Sequence, residues 1–290
     1  MSGRADESEQ GDERERADGS ERGEAAERAN GSGHLDRDEH TDEGDLQNGD
    51  STTRSRRIAR AVVVAIGLGL AGPIVAAVLL VGAGLGLGIL GVSLSPLVAI
   101  AVTLVLTQIV GFGGVIVGYA RYRGYTVETL GIRIPSGREL GLTVVGGIGA
   151  LALALLASIV LQALALEGAS NQAAEVGSQN PAVFLLLIPA AFLVIGPCEE
   201  GLYRGIVQGR LREAVGPVPA ITIAAALFAA VHVVALSGSS TARLVTIALL
   251  LIPGLIFGAA YEYTGNLVVV AGMHALYDAL IFGMLYLVFA

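Results

Sequence analysis

A chain of 290 residues that is 53% hydrophobic, with a mean hydropathy of +0.67 and 15% charged side chains, excludes an ordinary water-soluble domain. Its formal charge of −8 lies in the first 57 residues, which hold 17 of the 26 acidic side chains and nine of the 18 arginines; beyond them the signs balance. A nucleic-acid partner is not expected either, because the one arginine-rich loop in the apolar part, 121–139, is short and sits beside the membrane.

In chain order, residues 1–57 are rich in Glu, Asp, Arg, Gly and Ser and carry too few large apolar side chains to offset the entropy of ordering. They are expected to be a disordered acidic tail, with an acidic docking arm as the functional alternative. No apolar segment follows a basic start there, so no export signal is expected. After Arg60 the stretch 61–91 is uncharged and long enough to cross about 30 Å of hydrocarbon. Its glycine-rich end, 82–88, lacks the strand and helix context of a phosphate loop. Small residues are instead expected where membrane helices pack closely, and the excess length implies a tilt or a frayed outer end.

Further spans are predicted at 97–120, 140–166, 181–213, 217–236, 242–260 and 267–289, with a polar linker at 167–180 and a tight turn at 237–241. The fold class is therefore all-α, a polytopic membrane protein of about seven transmembrane helices. Arginines gather on alternate connections, in the tail, in 121–139 and in 204–212, which puts the N-terminus in the cytoplasm and the C-terminus outside, with Arg243 as the exception. Tyr122, Tyr125, Tyr261 and Tyr263 suit interfacial positions. The expected location is the plasma membrane, as a multi-pass protein. The single cysteine, Cys198, excludes an intramolecular disulfide and reads as a packing residue, since a thiol in an apolar run has its thiolate disfavoured.

Few ionisable residues interrupt the spans, and each costs about 2.5–3.5 kcal/mol at bilayer depth on insertion scales. Glu199, Glu200 and Arg204 fall on the fourth span, His232 on the fifth, and His274 and Asp278 on the seventh. Glu200 and Arg204 stand at i, i+4 and share a helix face, which predicts an ion pair; Glu199 is turned about 100° away and is left for chemistry. Phe228 and His232, and His274 and Asp278, have the same spacing. Polar groups in lipid must find one another, so the three sites are expected to converge, provided that a tilted fourth helix carries Glu199 to mid-depth.

In that order, Glu199-Glu200-Gly201-Leu202-Tyr203-Arg204, Phe228 to His232 and His274 to Asp278 spell EExxxR, FxxxH and HxxxD. The ordered triple resembles the three motifs of the CPBP intramembrane proteases, the family of type II CAAX prenyl endopeptidases and related bacteriocin-processing or immunity proteins. The likeness covers about residues 120–285. It implies a membrane catalytic domain over 120–290, preceded by two N-terminal spans in 58–119 and the tail in 1–57. It further implies that Glu199 and His232 activate a water for attack on a peptide carbonyl, while His274 and Asp278 stabilise the oxyanion. Asp278 stands where prenyl-processing members often carry Asn. An ionised Asp278 would repel an oxyanion, so it must be protonated, orient His274 or serve another role. Glu200, Arg204 and Phe228 are expected to support these four.

The residue chemistry agrees with that implication, because amide hydrolysis needs a base for the water and fixed donors where negative charge develops. The expected partners are the lipid bilayer and a peptide or membrane-protein substrate, with a lipid-modified C-terminus among the candidates. No cofactor is required in this reading. The alternative is a zinc site built from Glu199, His232 and His274, although no HExxH motif supports it. Two other functions compete: a transporter or proton-conducting protein, and a non-catalytic immunity or binding protein on the same scaffold.

Overall fold

In the computed structural model, residues 42–290 are described, with side chains from Thr52 onward. The chain divides into 1–46 and a bundle of 47–290. Eight helices are present among the described residues: α1 (Asp42–Leu90), α2 (Pro96–Arg123), α3 (Gly137–Ala163), α4 (Gln172–Gln179), α5 (Ala182–Arg212), α6 (Pro217–Ala235), α7 (Ser240–Thr264) and α8 (Leu267–Phe289). All but α4 are long and apolar enough to cross a membrane, seven spans among the described residues. Together with an outer surface of exposed Ile89, Leu193 and Leu287, they make this a multi-pass membrane protein.

Three expectations are corrected. The helix α1 begins at Asp42, so 42–57 is helical rather than tail, because an established apolar helix propagates cheaply through flanking residues. Residues 1–41, where the rest of the acidic tail was expected, lie outside the described residues. Second, the run 82–88 is neither frayed nor a packing seam: it stays helical, and Gly82, Gly84, Gly86 and Gly88 have open space where a Cβ would sit. The close approach falls instead at Gly72 and Gly111, where a Cβ on Gly111 would press on the Gly72 carbonyl and one on Gly72 on the Phe112 ring. Third, the linker 167–180 is structured. Ser170–Asn171 (β1) pairs antiparallel with Leu236–Ser237 (β2), and α4 follows, capped by Asn171.

Helix boundaries follow local chemistry. Ser95 caps α2 ahead of Pro96, Ser136 and Glu139 form a capping box on α3, and Ser239 and Asn266 cap α7 and α8. Gly124 and Gly265 close α2 and α7 in the left-handed conformation. Gly131, at φ +69°, lies against the Gly265 carbonyl, and its own carbonyl accepts from Leu267 N at 2.9 Å. That contact ties the 124–136 loop to the start of α8.

Two spans wind irregularly where they carry polar groups. The helix α2 is a π-helix over Val105–Gly113, and α5 over Ala191–Ile195 and Gly201–Gln208. Pro189 and Pro197 each remove a donor from the α5 ladder, which loosens its regular winding around the Glu pair. The core is richest around the second of those π turns. Leu202, Tyr203, Ile206, Val207 and Leu211 of α5 pack there with Phe112, Ala224 and Phe228 from α2 and α6.

Candidate active site

The fifth helix presents its polar residues on two faces. Glu200, Arg204, Gln208 and Arg212 recur every fourth residue, and three of them bond to α7 at a constant offset of 50 positions. Arg204 Nη2 donates to the Gly254 carbonyl at 3.2 Å, Gln208 Nε2 to the Gly258 carbonyl at 3.1 Å, and Arg212 Nε to Glu262 at 2.9 Å. The two helices therefore run in the same direction, and a ladder of three polar rungs fixes their register. Arg204 is fully buried. Its Nε lies 3.1 Å from Glu200 Oε2, the i, i+4 pair expected from the sequence, and its guanidinium sits 4.9 Å above the Phe228 ring.

Glu200 does more than balance Arg204. Its Oε1 accepts from His274 Nδ1 at 2.9 Å, so α5 dictates the ring orientation of an imidazole on α8. Nε2 of His274 consequently faces the site, 3.4 Å from Asp278 Oδ2 and 3.9 Å from Glu199 Oε2. Phe257 stacks on this imidazole at 5.5 Å, and the Phe228 edge closes the other side at 5.7 Å.

His232 begins a 3-10 turn that ends α6. Its Nδ1 lies 2.7 Å from the Phe228 carbonyl, which can only accept, so Nδ1 carries the hydrogen and Nε2 of the neutral ring presents a lone pair. That Nε2 is 4.0 Å from Glu199 Oε2. The side chains that α5, α6 and α8 were expected to bring together are thus in reach of one another. Glu199, His232 and His274, predicted from three separate helices, come together around one carboxylate oxygen, and Asp278 joins them through His274.

Glu199 is not wholly unattached. Gln108, from the π-helical part of α2, donates through Nε2 to Glu199 Oε1 at 2.8 Å and is buried. The motif reading missed Gln108. The signal was nonetheless in the sequence, since an amide within the apolar stretch 97–120 falls under the same rule that singled out the Glu pair. Glu199 Oε2 is left buried with no hydrogen-bond partner among the described residues. Of the four central side chains His232 is the most open, at 24% exposure against 6% for His274.

Whether these residues suit a metal ion can be tested on spacing. Two His and a Glu are ligand types that zinc takes. Ligands at about 2.1 Å around a tetrahedral ion lie about 3.4 Å apart, whereas Glu199 Oε2 is 4.0 and 3.9 Å from the two imidazole nitrogens. Among the described residues no group of three or more His, Cys, Asp or Glu is drawn together closely enough to hold an ion. As they stand, these side chains are set wider apart than zinc would draw them. A water about 2.8 Å from both atoms spans such a gap at an angle of about 90°.

Comparisons with curated proteins and with solved structures returned no match. A family model does match, and it covers the part of the chain that contributes Glu199, Glu200, Arg204, Phe228, His232, His274 and Asp278. It is the model described as type II CAAX prenyl endopeptidase Rce1-like, a family of peptidases, and it matches residues 181–280.

Proposed function

We propose that the protein is an intramembrane endopeptidase in which Glu199 and His232 activate a water and His274 stabilises the oxyanion. The observation that carries this reading is the unpartnered Glu199 Oε2, facing Nε2 of both His232 and His274 at 4.0 and 3.9 Å. A water held between Glu199 Oε2 and the His232 lone pair loses a proton to the carboxylate as its oxygen attacks the scissile carbonyl carbon. Negative charge then develops on the carbonyl oxygen, which takes a hydrogen bond from Nε2–H of the His274 imidazolium, whose Nδ1–H is held by Glu200. Collapse of the tetrahedral intermediate breaks the C–N bond, and the proton taken from water passes to the departing amine. One peptide and one water yield one carboxylic acid and one amine.

In this mechanism Glu200 fixes His274 from behind, and Arg204 holds Glu200 in place. Asp278, at 3.4 Å, orients the same imidazole from the site side, the role compatible with a carboxylate near an oxyanion donor. No step requires a metal. The substrate class is a peptide or membrane-protein segment, of which a lipid-modified C-terminus of the CAAX type is one form, and the location is the plasma membrane.

The test is purified full-length protein in detergent against a quenched peptide library, with and without chelator, using Glu199→Gln as control. Cleavage that survives chelation and is lost in Glu199→Gln supports the mechanism. Cleavage abolished by chelator and restored by zinc overturns its metal-free form, and cleavage retained by Glu199→Gln overturns the assignment of the base.

A further inference from the structure

We infer that Gln108 is a positioning residue for Glu199, so that α2, outside the matched segment 181–280, completes the site. The inference rests on the hydrolase reading above for its kinetic consequence, but its structural content is independent of it. A carboxylate can present either oxygen to a water, and free rotation would expose both alternately. The bond from Gln108 Nε2 to Oε1 removes that choice and leaves Oε2 as the oxygen between the two imidazoles. The donor is a neutral amide, so it steadies the carboxylate without placing a second full charge in the pocket.

The surroundings are built to hold this one side chain. The π-helical winding over Val105–Gly113 departs from the regular ladder at the turn that carries Gln108, the kind of local irregularity that re-aims a side chain. The backbone of α2 is pressed against α1 at Gly111 and Gly72, and the Phe112 ring meets Tyr203 of α5 edge-on at 6.2 Å. Tyr203 in turn donates to the Gly69 carbonyl of α1 at 3.0 Å. Helices α1, α2 and α5 are thereby fastened on the side where Gln108 reaches Glu199. Gln108 Oε1 is buried without a donor among the described residues, so no donor there favours the flipped amide, in which that oxygen would face the carboxylate.

The experiment compares full-length wild type, Gln108→Met and Glu199→Gln in detergent, using the library peptide that the wild type cleaves. Methionine keeps the length and volume of glutamine without the donor. Gln108→Met should remain folded, lose about 10- to 100-fold in kcat and keep KM within about twofold. The infrared carboxylate band assigned to Glu199 by its loss in Glu199→Gln should be displaced in Gln108→Met. Should Gln108→Met not fold, Gln108→Asn, one methylene short of Glu199, is read in the same way. Unchanged kcat, or a Glu199 band that does not move, overturns the inference. If the wild type cleaves no peptide, the hydrolase reading falls and the band alone judges whether Gln108 holds Glu199.

Discussion

Glu200 accepts a hydrogen bond from His274 Nδ1 at 2.9 Å across the gap between α5 and α8, while its other oxygen stays 3.1 Å from Arg204. One carboxylate thus fixes an imidazole and neutralises a fully buried guanidinium. The adjacent Glu199 is tied by one oxygen only. In the proposed mechanism, two neighbours of identical chemistry are separated into a structural and a reactive acid by a turn of about 100°.

Replacing the structural acid should therefore harm folding first. Glu200→Gln leaves Arg204 charged and uncompensated at zero exposure, a change that costs about 3–5 kcal/mol for a buried pair. Thermal unfolding in detergent should show a large fall for Glu200→Gln and a small one for Glu199→Gln. Equal falls would contradict the division of roles.

The reactive side should respond in the opposite way. Glu199→Gln and His232→Ala are expected to lower kcat by about 10²–10⁴-fold, the range of a general acid or base, with unfolding temperatures near wild type. A peptide-cleavage assay beside a melting curve separates the two, and retained turnover in either variant would remove that residue from the chemistry.

Asp278 gives a graded test. Asparagine keeps an acceptor near His274 Nε2, so Asp278→Asn should stay within about tenfold of wild-type kcat, whereas Asp278→Leu should lose about 10- to 100-fold. If both variants match the wild type, Asp278 does not orient the imidazole.

At the arginine-rich end of the bundle, Arg123, Tyr125 and Arg210 all bond to Glu213. Burial pushes the Tyr125 phenol up to about 12, helped by its hydrogen bond to Glu213. The folded value lies above the unfolded one near 10, so the contribution is complete below pH 10 and disappears as the pH rises through about 12. The melting-temperature advantage of wild type over Tyr125→Phe should shrink across that window. A constant advantage would mean that the phenol does not titrate there.

Gly131 offers a purely steric prediction. Alanine at φ +69° is strained, and its Cβ would run into the Gly265 carbonyl, so Gly131→Ala should destabilise by about 1–3 kcal/mol or more. An unaltered unfolding temperature would show that the loop can shift away from α8 at no cost.

Much of this architecture was legible in the chain. The apolar runs announced seven spans because length and charge alone decide what can cross hydrocarbon, and the i, i+4 spacing of Glu200 and Arg204 foretold their pairing. The convergence of Glu199, His232 and His274 was inferred from the cost of leaving each alone. What stayed hidden depends on neighbours distant in sequence. The carbonyls of Gly254 and Gly258 leave no mark on composition, the π turns have no local signature, and β1 and β2 are too short for an alternating pattern. Gln108 was readable but overlooked, since a neutral amide draws less notice than a charge.

The constant offset between α5 and α7 bears on how a peptide reaches Glu199. Slippage of one helix along the other by a single turn would break every rung at Arg204, Gln208 and Arg212 together, so this seam is a hinge-free wall. In the proposed peptidase a doorway would have to open along a different edge, and of the four central side chains the ring of His232 is the most uncovered.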